Sequence, residues 1–171
     1  MKGLIPMKCL VFSDSHNYPY FMESAIRKNP DTEVVFFLGD GLSDIEEMFY
    51  KFPKIKFLAV KGNCDFRYIV FGEAVEKTAE IFICGKKIVY THGDLYGAKY
   101  GKVGLSDLAT SRFADIVLFG HTHIPELEYV NEKEPSFYLF NPGSVGAREG
   151  SFGILTLTEG QEPLFSHGNF I

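Results

Sequence analysis

The chain has 171 residues, of which 46% are hydrophobic, and this is enough apolar material to fill the core of one globular domain. Its formal net charge is −5 and it contains no basic tail or cluster, so we do not expect it to bind long nucleic acids. No apolar run approaches the ~18 residues of a membrane span, and the N-terminus lacks a secretory signal. The three cysteines match neither a disulfide framework nor a zinc finger. These features predict a cytoplasmic protein with a single domain over residues 7–171, after an N-terminal extension of residues 1–6.

The first third of the chain alternates between short apolar runs and amphipathic segments. The apolar runs predict strands, and the segments with apolar residues at helical spacing predict helices. In chain order they are a strand over 7–13, a helix over 18–29, a strand over 34–38, a helix over 42–51 and a strand over 56–60. This order is typical of parallel strands joined by right-handed crossovers.

The rest of the chain is richer in strands. Gly85-Lys86 separates two β-like runs, 79–84 and 87–91, and predicts a hairpin. A helix over 103–112 and a strand over 115–119 follow. Three further runs, 126–130, 136–140 and 152–157, predict an antiparallel meander that closes a second sheet. The pattern as a whole predicts a two-layer β core flanked by helices.

Five of the apolar runs end in a polar motif that carries metal-ligating side chains. Ligands bind at the carboxyl ends of strands in open α/β sheets, so we expect these motifs to meet there. Imidazole and carboxylate together are the ligand mixture of a transition-metal site. In chain order the motifs are Asp14-Ser15-His16, Gly39-Asp40, Gly62-Asn63-Cys64-Asp65, Thr91-His92-Gly93 and Gly120-His121-Thr122-His123.

Each motif taken alone also has an ordinary structural explanation. Asp14 could cap a helix, His16 could be a surface residue, Asn63 could belong to a turn, and His92 could be a buried histidine with satisfied hydrogen bonds. Taken together, the candidate ligands are too many for one tetrahedral ion and suit two ions. Asp40 is the natural bridge, because a carboxylate has two oxygens. Two ions ~3.5–4 Å apart are a common device for displacement at phosphorus.

This order of motifs resembles the calcineurin-like metallophosphoesterase superfamily, and the short chain with Asn141-Pro142-Gly143-Ser144 looks most like its small, YfcE-like phosphodiesterase branch. The resemblance implies an α/β fold, a four-layer α/β/β/α sandwich of two mixed sheets. It also implies two divalent metal ions, which could be Mn, Ni, Fe, Co or Zn. The resemblance implies one ion held by Asp14, His16, Asp40 and His123, and a second held by Asp40, Asn63, His92 and His121. Asp44 completes the motif, and we interpret it as a helix cap or hydrogen-bond acceptor rather than a ligand.

Three consecutive residues, Asn63, Cys64 and Asp65, are the candidates for catalysis beside the metal. Many members of the superfamily have histidine at the position of Cys64, where it contacts the substrate and protonates the leaving group. A thiol with an ordinary pKa of ~8.5 is a weak hydrogen-bond donor, so the identity of the acid is open here. The alternative for Cys64 is a small buried apolar residue. We expect Asp65 to orient Cys64 or a metal ligand.

The sequence therefore predicts a metal-dependent phosphodiesterase that acts on a small phosphate ester. The alternative is a protein-binding scaffold of the same fold, similar to the retromer subunit, which has lost metal ligands that this chain retains. The Asn141–Ser144 segment is expected to shape the phosphate pocket. Arg148 could contact phosphate or simply be exposed, and His167 is expected to face solvent. Self-association into a homo-oligomer is left open.

Overall fold

The computed structural model describes residues 5–67, 69–147 and 149–170. Most of the predicted extension, residues 1–6, lies outside these ranges. The helices are Pro19–Lys28 (α1), Leu42–Lys51 (α2) and Val103–Arg112 (α3), with two 3-10 turns at Asp94–Tyr96 and Ala98–Tyr100. The strands are Met7–Phe12 (β1), Thr32–Phe37 (β2), Lys56–Ala59 (β3), Ile69–Val70 (β4), Glu73–Ala74 (β5), Thr78–Ile83 (β6), Lys86–Thr91 (β7), Ile116–Leu118 (β8), Pro125–Val130 (β9), Phe137–Pro142 (β10), Ser151–Leu157 (β11) and Leu164–Asn169 (β12).

The strands form two mixed five-stranded sheets and one small hairpin. The first sheet has the order β12-β11-β1-β2-β3, and its strands β1, β2 and β3 are parallel. The second has the order β6-β7-β8-β10-β9, and its strands β7, β8 and β10 are parallel. Antiparallel strands complete both sheets at their sides. The carboxyl ends of the parallel strands are therefore available to carry the polar motifs.

The two sheets stack face to face, with helices on both outer faces. Alternate residues of β1 show this, because Val11 points into the core between the sheets and Phe12 points into the core beneath α1 and α2. Phe36 and Tyr90 meet edge to face across the central core, with ring centroids 5.3 Å apart. The buried face of α3, represented by Leu105, packs on the outer face of the second sheet. The predicted four-layer α/β/β/α sandwich is confirmed.

Strand β11 corrects one prediction about topology. We expected 152–157 to extend the second sheet, but β11 lies in the first sheet, antiparallel to β1, with Val11 opposite Gly153. A Cβ at Gly153 would collide with the ring of Phe140 in β10. Glycine therefore lets the aromatic ring of the second sheet pack closely against the first sheet.

The sequence pattern also missed β12 and the β4–β5 hairpin. His167 lies in β12, and the prediction that it faces solvent is wrong. Its Nε2 donates to the carbonyl of Asn141 at 2.7 Å, and its ring stacks on Phe140 at a centroid distance of 4.8 Å. None of the helices within the described residues is both long and apolar enough to cross a membrane.

Candidate metal centre

The loops that follow five parallel strands carry the predicted ligands into one cluster. The loops after β1, β2 and β3 supply one half from the first sheet, and the loops after β7 and β8 supply the other half from the second. Most of these ligands sit in a backbone conformation that is uncommon for residues other than glycine, and such strain concentrates at functional sites. The predicted ligands with positive φ are Asp14 (57°), His16 (47°), Asp40 (61°), His121 (68°) and His123 (62°).

Asp14 is the centre of the first group of ligands. Its Oδ1 lies 3.1 Å from Nε2 of His123 and 3.8 Å from Nε2 of His16. Its Oδ2 accepts hydrogen bonds from the hydroxyl of Ser13 at 2.6 Å and from the backbone N–H of His121 at 3.1 Å. Oδ1 is thus the oxygen left to face the two imidazoles, since its partner oxygen is already bound by the protein.

His92 is the centre of the second group. Its Nδ1 donates to the carbonyl of Leu38 at 2.7 Å, which fixes the ring and turns Nε2 toward the cluster. Nε2 lies 3.1 Å from Oδ1 of Asn63, 3.1 Å from Nδ1 of His121 and 3.4 Å from Oδ2 of Asp40. The four side chains that the family resemblance implies for a second ion therefore lie close together around Nε2 of His92.

Asp40 belongs to both groups. One ligand atom from each of Asp14, Asp40 and His92 lies within 4.8 Å of the others, and the same holds for His16, Asp40 and Cys64. Burial would raise the pKa of the Asp40 carboxyl, but the hydrogen bond and charge of His92 and the N–H of Cys64 outweigh it and hold the pKa well below its usual value. Asp40 is therefore ionised, which is the form that ligates a cation.

Three glycines in the motifs make room for these carboxylates. A Cβ at Gly62 would collide with the Asp40 side chain, and one at Gly120 would collide with the hydroxyl of Ser13. A Cβ at Gly39 would collide with the backbone of Gly62. Glycine is required at these positions because the loops approach one another too closely for any side chain.

Asp65 holds two of the loops together instead of orienting Cys64. Its Oδ2 accepts the N–H groups of Asp40 at 2.7 Å and Gly62 at 2.9 Å, and its Oδ1 accepts those of Gly41 at 2.9 Å and Leu42 at 3.0 Å. Both oxygens are fully used, so this carboxylate joins the Asp40 loop, the start of α2 and the Asn63 loop. Asp65 thus lies behind Asp40, one of the predicted ligands, and does not contact the Cys64 side chain through either oxygen.

Cys64 is exposed, so the alternative of a buried apolar residue is wrong. Its backbone N–H donates to Oδ1 of Asp40 at 2.7 Å, and the amide of Asn63 donates to its sulfur at 3.2 Å. Partial burial, followed by the hydrogen bond and charge of Asp40, raises the pKa of the thiol. The thiol therefore stays protonated near neutral pH.

Other polar residues support the cluster from behind. Asp44 accepts the Ser15 hydroxyl at 2.6 Å and the N–H of Asn17 at 2.9 Å, in agreement with the expectation of a hydrogen-bond acceptor. The amide of Asn141 donates to the carbonyl of Gly120 at 3.0 Å, and the hydroxyl of Ser144 donates to the carbonyl of Asp14 at 2.8 Å.

The Asn141–Ser144 segment is entirely buried. It therefore braces the ligand loops, and the expectation that it shapes a phosphate pocket is replaced by this role.

The position of Arg148 lies outside the described residues. No motif in the sequence marks the supporting role of Ser13 and Ser15, although both flank Asp14 directly.

The cluster fits divalent cations. Oδ1 of Asp14 is buried and has no hydrogen-bond partner, a condition that is costly unless a cation balances it. Carboxylate, imidazole and amide donors converge around it, and this mixture suits first-row transition metals. The supporting hydrogen bonds to Asp14 and His92 are those that orient metal ligands in proteins.

A cleft of about 330 Å³ opens from the cluster toward solvent. His16, Asp40 and Cys64 line it together with Phe66 and Arg67. The centre is thus reachable by a small molecule whose one end contacts the ligand loops.

Known proteins with this arrangement define the class of the protein. The sequence model of the calcineurin-like phosphoesterase superfamily domain matches residues 7–160, and the chain belongs to this superfamily. The assignment supports hydrolysis of phosphate esters with divalent metal ions.

Individual relatives indicate which branch of the superfamily this chain resembles. The chain is 32% identical over 158 residues to the probable metallophosphoesterase YsnB of Bacillus subtilis (strain 168), covering 88% of this chain and 85% of the relative. It is 29% identical over 107 residues to the phosphodiesterase YfcE of Escherichia coli (strain K12), covering 58% of this chain and 52% of that protein. The similarity to YsnB and YfcE supports the YfcE-like branch.

The fold is also that of a sorting protein. Vacuolar protein sorting 29 from Cryptosporidium parvum superposes with a TM-score of 0.73 at 17% identity, covering 96% of this chain and 98% of that one. At this identity the likeness concerns the fold alone.

Proposed function

We propose that the protein is a phosphodiesterase that hydrolyses a small phosphate ester at a centre of two divalent metal ions. The observation that carries the proposal is the convergence of Asp14, Asp40 and His92 around a buried carboxylate oxygen that accepts no hydrogen bond. The diesterase specificity is drawn from the similarity to YfcE. The metal identity is open among Mn, Ni, Fe, Co and Zn, and location in the cytoplasm stays a prediction.

The residues divide the work of the reaction. Asp14, His16, Asp40 and His123 would hold one ion, and Asp40, Asn63, His92 and His121 would hold the other. When bound, the ions would supply an acidified water and Lewis acidity at the phosphoryl oxygens. Asp65 holds together the two loops that carry Asp40 and Asn63, because its carboxylate accepts four backbone N–H hydrogen bonds.

Cys64 faces the cleft at the position expected for contact with the ester. Its protonated thiol offers a weak hydrogen bond to a leaving oxygen, in place of the stronger acid that an imidazolium provides. We therefore propose a reaction that favours esters with good leaving groups.

The scaffold alternative rests on the likeness to vacuolar protein sorting 29. A pure scaffold has no need for a buried carboxylate oxygen without a hydrogen bond or for several ligand candidates in strained backbone conformations. These features favour catalysis.

The test is hydrolysis of bis-p-nitrophenyl phosphate and p-nitrophenyl phosphate by protein loaded with Mn²⁺. We expect turnover of the diester that EDTA abolishes and added Mn²⁺ restores. Asp14→Asn should lower turnover by about 10²-fold or more, the scale of losing a principal catalytic group. Asp107→Asn is the matched control, because this aspartate is 69% exposed and pairs only loosely with Lys133. Absence of chelator-sensitive hydrolysis for both esters would favour the scaffold.

A further inference from the structure

The cleft beside the metal centre has the size of one ester group of a phosphodiester substrate. It shares His16 and Asp40 with the ligand cluster, so a phosphate bound at the centre directs one of its ester groups into the cleft. Its volume of about 330 Å³ is near the lower end of the ~300–1,000 Å³ of ligand pockets. The cleft therefore accommodates a group the size of a ring or a nucleoside and not a polymer.

The charges around the cleft argue against a second phosphate as the occupant. Nη1 of Arg67 donates to Oε2 of Glu46 at 2.6 Å, so the charge of the guanidinium is already balanced. Asp65, which also lines the cleft, is an acidic residue whose two oxygens both accept backbone N–H groups. The cleft thus offers little surplus positive charge, and a neutral group is favoured over a second anion.

Phe66 provides a surface for a planar group. It lines the cleft and is 88% exposed, an unusual degree for so large an apolar ring. An exposed aromatic face stacks favourably on bases and aryl rings, whatever their sequence or substituents. Beside it, Arg67 carries further N–H donors, and Asn17 and Ser43 add polar side chains that can meet hydroxyl or carbonyl groups.

From these observations we infer that the cleft is a subsite for a neutral, planar aromatic ester group, which stacks on Phe66 and lies next to Arg67. The inference rests on the proposed function, since the cleft would bind an ester group of the same substrate whose phosphate is bound at the metal centre. A nucleobase and a simple aryl ring share this chemistry.

The experiment compares three phosphonates that cannot be hydrolysed at the P–C bond. Methylphosphonate, benzylphosphonate and the phosphonate analogue of thymidine 5′-monophosphate are titrated by calorimetry into the Mn²⁺-loaded protein. We expect the two aromatic compounds to bind about tenfold more tightly than methylphosphonate, in the lower part of the range for stacking. In Phe66→Leu, which keeps an apolar side chain without the ring, this advantage should fall to less than threefold.

Phe82→Leu is the matched control, because Phe82 is also highly exposed (69%) but lies on β6, and it should retain the full advantage. If thymidine phosphonate binds more tightly than benzylphosphonate and Arg67→Ala removes only that difference, the ester group that occupies the cleft is a nucleoside. If the two aromatic compounds bind alike, the subsite takes aryl rings in general. Equal affinity for all three compounds, or an equal loss for all three in Phe66→Leu, would overturn the inference.

The outcomes separate this inference from the proposed function. If the aromatic phosphonates bind in the expected order and bis-p-nitrophenyl phosphate is not hydrolysed, the subsite stands and the proposed function is wrong. If hydrolysis proceeds and the three phosphonates bind equally, the proposed function stands and the subsite is wrong.

Discussion

At the scale of single residues, the carboxylates near the centre differ in what their oxygens contact. Oδ1 of Asp14 and Oδ2 of Asp40 face imidazole nitrogens, which leaves them available to cations. Both oxygens of Asp65 are instead bound by four backbone N–H groups. The sequence places all three residues in similar Asp-containing motifs, and only the tertiary contacts separate ligands from supports.

Asp40 is the residue whose replacement should affect both ions. In Asp40→Asn one oxygen becomes an NH₂ group, which cannot ligate a metal, and the bridge is lost. We expect the bound metal to fall from two ions per chain toward none, and turnover of bis-p-nitrophenyl phosphate to fall by at least ~10²-fold. Metal analysis after dialysis and steady-state kinetics provide the measurement. Near-normal activity at full metal occupancy would show that Asp40 is not the bridge.

Cys64 should make the rate depend on the leaving group. Burial and the neighbouring Asp40 raise the pKa of its thiol, so it is a poor proton donor to the departing oxygen. General acid catalysis contributes ~10²–10⁴-fold, and its weakness should appear as a steep dependence of rate on leaving-group pKa in a series of aryl esters.

The replacement Cys64→His should flatten that slope and accelerate poor leaving groups most. The larger imidazole must fit the space of a thiol, although the exposure of Cys64 favours this. The comparison requires equal metal content in both proteins. A flat slope in the wild type, or an unchanged slope in the histidine variant, would show that Cys64 does not occupy the position of an acid.

At the scale of elements, the centre depends on how closely the strand-end loops approach. Gly39, after β2, has φ +98° and no room for a Cβ because the backbone of Gly62, after β3, lies against it. Gly85, in the β6–β7 turn, has a similar φ of +74° and open space around it. A comparison of Gly39 with Gly85 therefore separates the effect of backbone strain, which both positions share, from the effect of steric collision, which only Gly39 has.

Gly39→Ala should therefore be more harmful than Gly85→Ala. Both replacements incur the ~1–2 kcal/mol of a left-handed alanine. Only Gly39→Ala adds overpacking, typically ~1–3 kcal/mol, and it should also weaken metal binding by displacing Asp40. Urea unfolding of the apo proteins and metal titration test this. Equal losses of stability in the two variants, with unchanged metal affinity, would contradict the proposed role of the close contact.

The local sequence pattern predicts some helices and strands correctly and misses others. The helices over 42–51 and 103–112 coincide with α2 and α3. Helix α2 carries a clear apolar face, whereas α3 has no side-chain cap and only a weak segregation of apolar residues. β12 was missed because Leu164–Asn169 contains a glycine and a histidine and lacks a regular apolar alternation. It is a strand because it pairs along its whole length with β11.

At the scale of the whole molecule, the centre lies where the two sheets meet. The loops of the first sheet contribute Asp14, His16, Asp40 and Asn63, and those of the second contribute His92, His121 and His123. Sequence motifs could predict which side chains meet in the cluster, since each follows its own strand. They could not predict which sheet takes β11, because an apolar run fits either sheet and its partner is fixed by long-range packing such as that of Gly153 against Phe140.

The central claim is that both sheets contribute to one site for two ions. The most direct measurement is a crystal structure of the protein in saturating Mn²⁺, with anomalous scattering recorded at the manganese edge. We expect two anomalous peaks ~3.5–4 Å apart, both in contact with Asp40, one beside His123 and the other beside His92. A single peak, or peaks held by other residues, would contradict it.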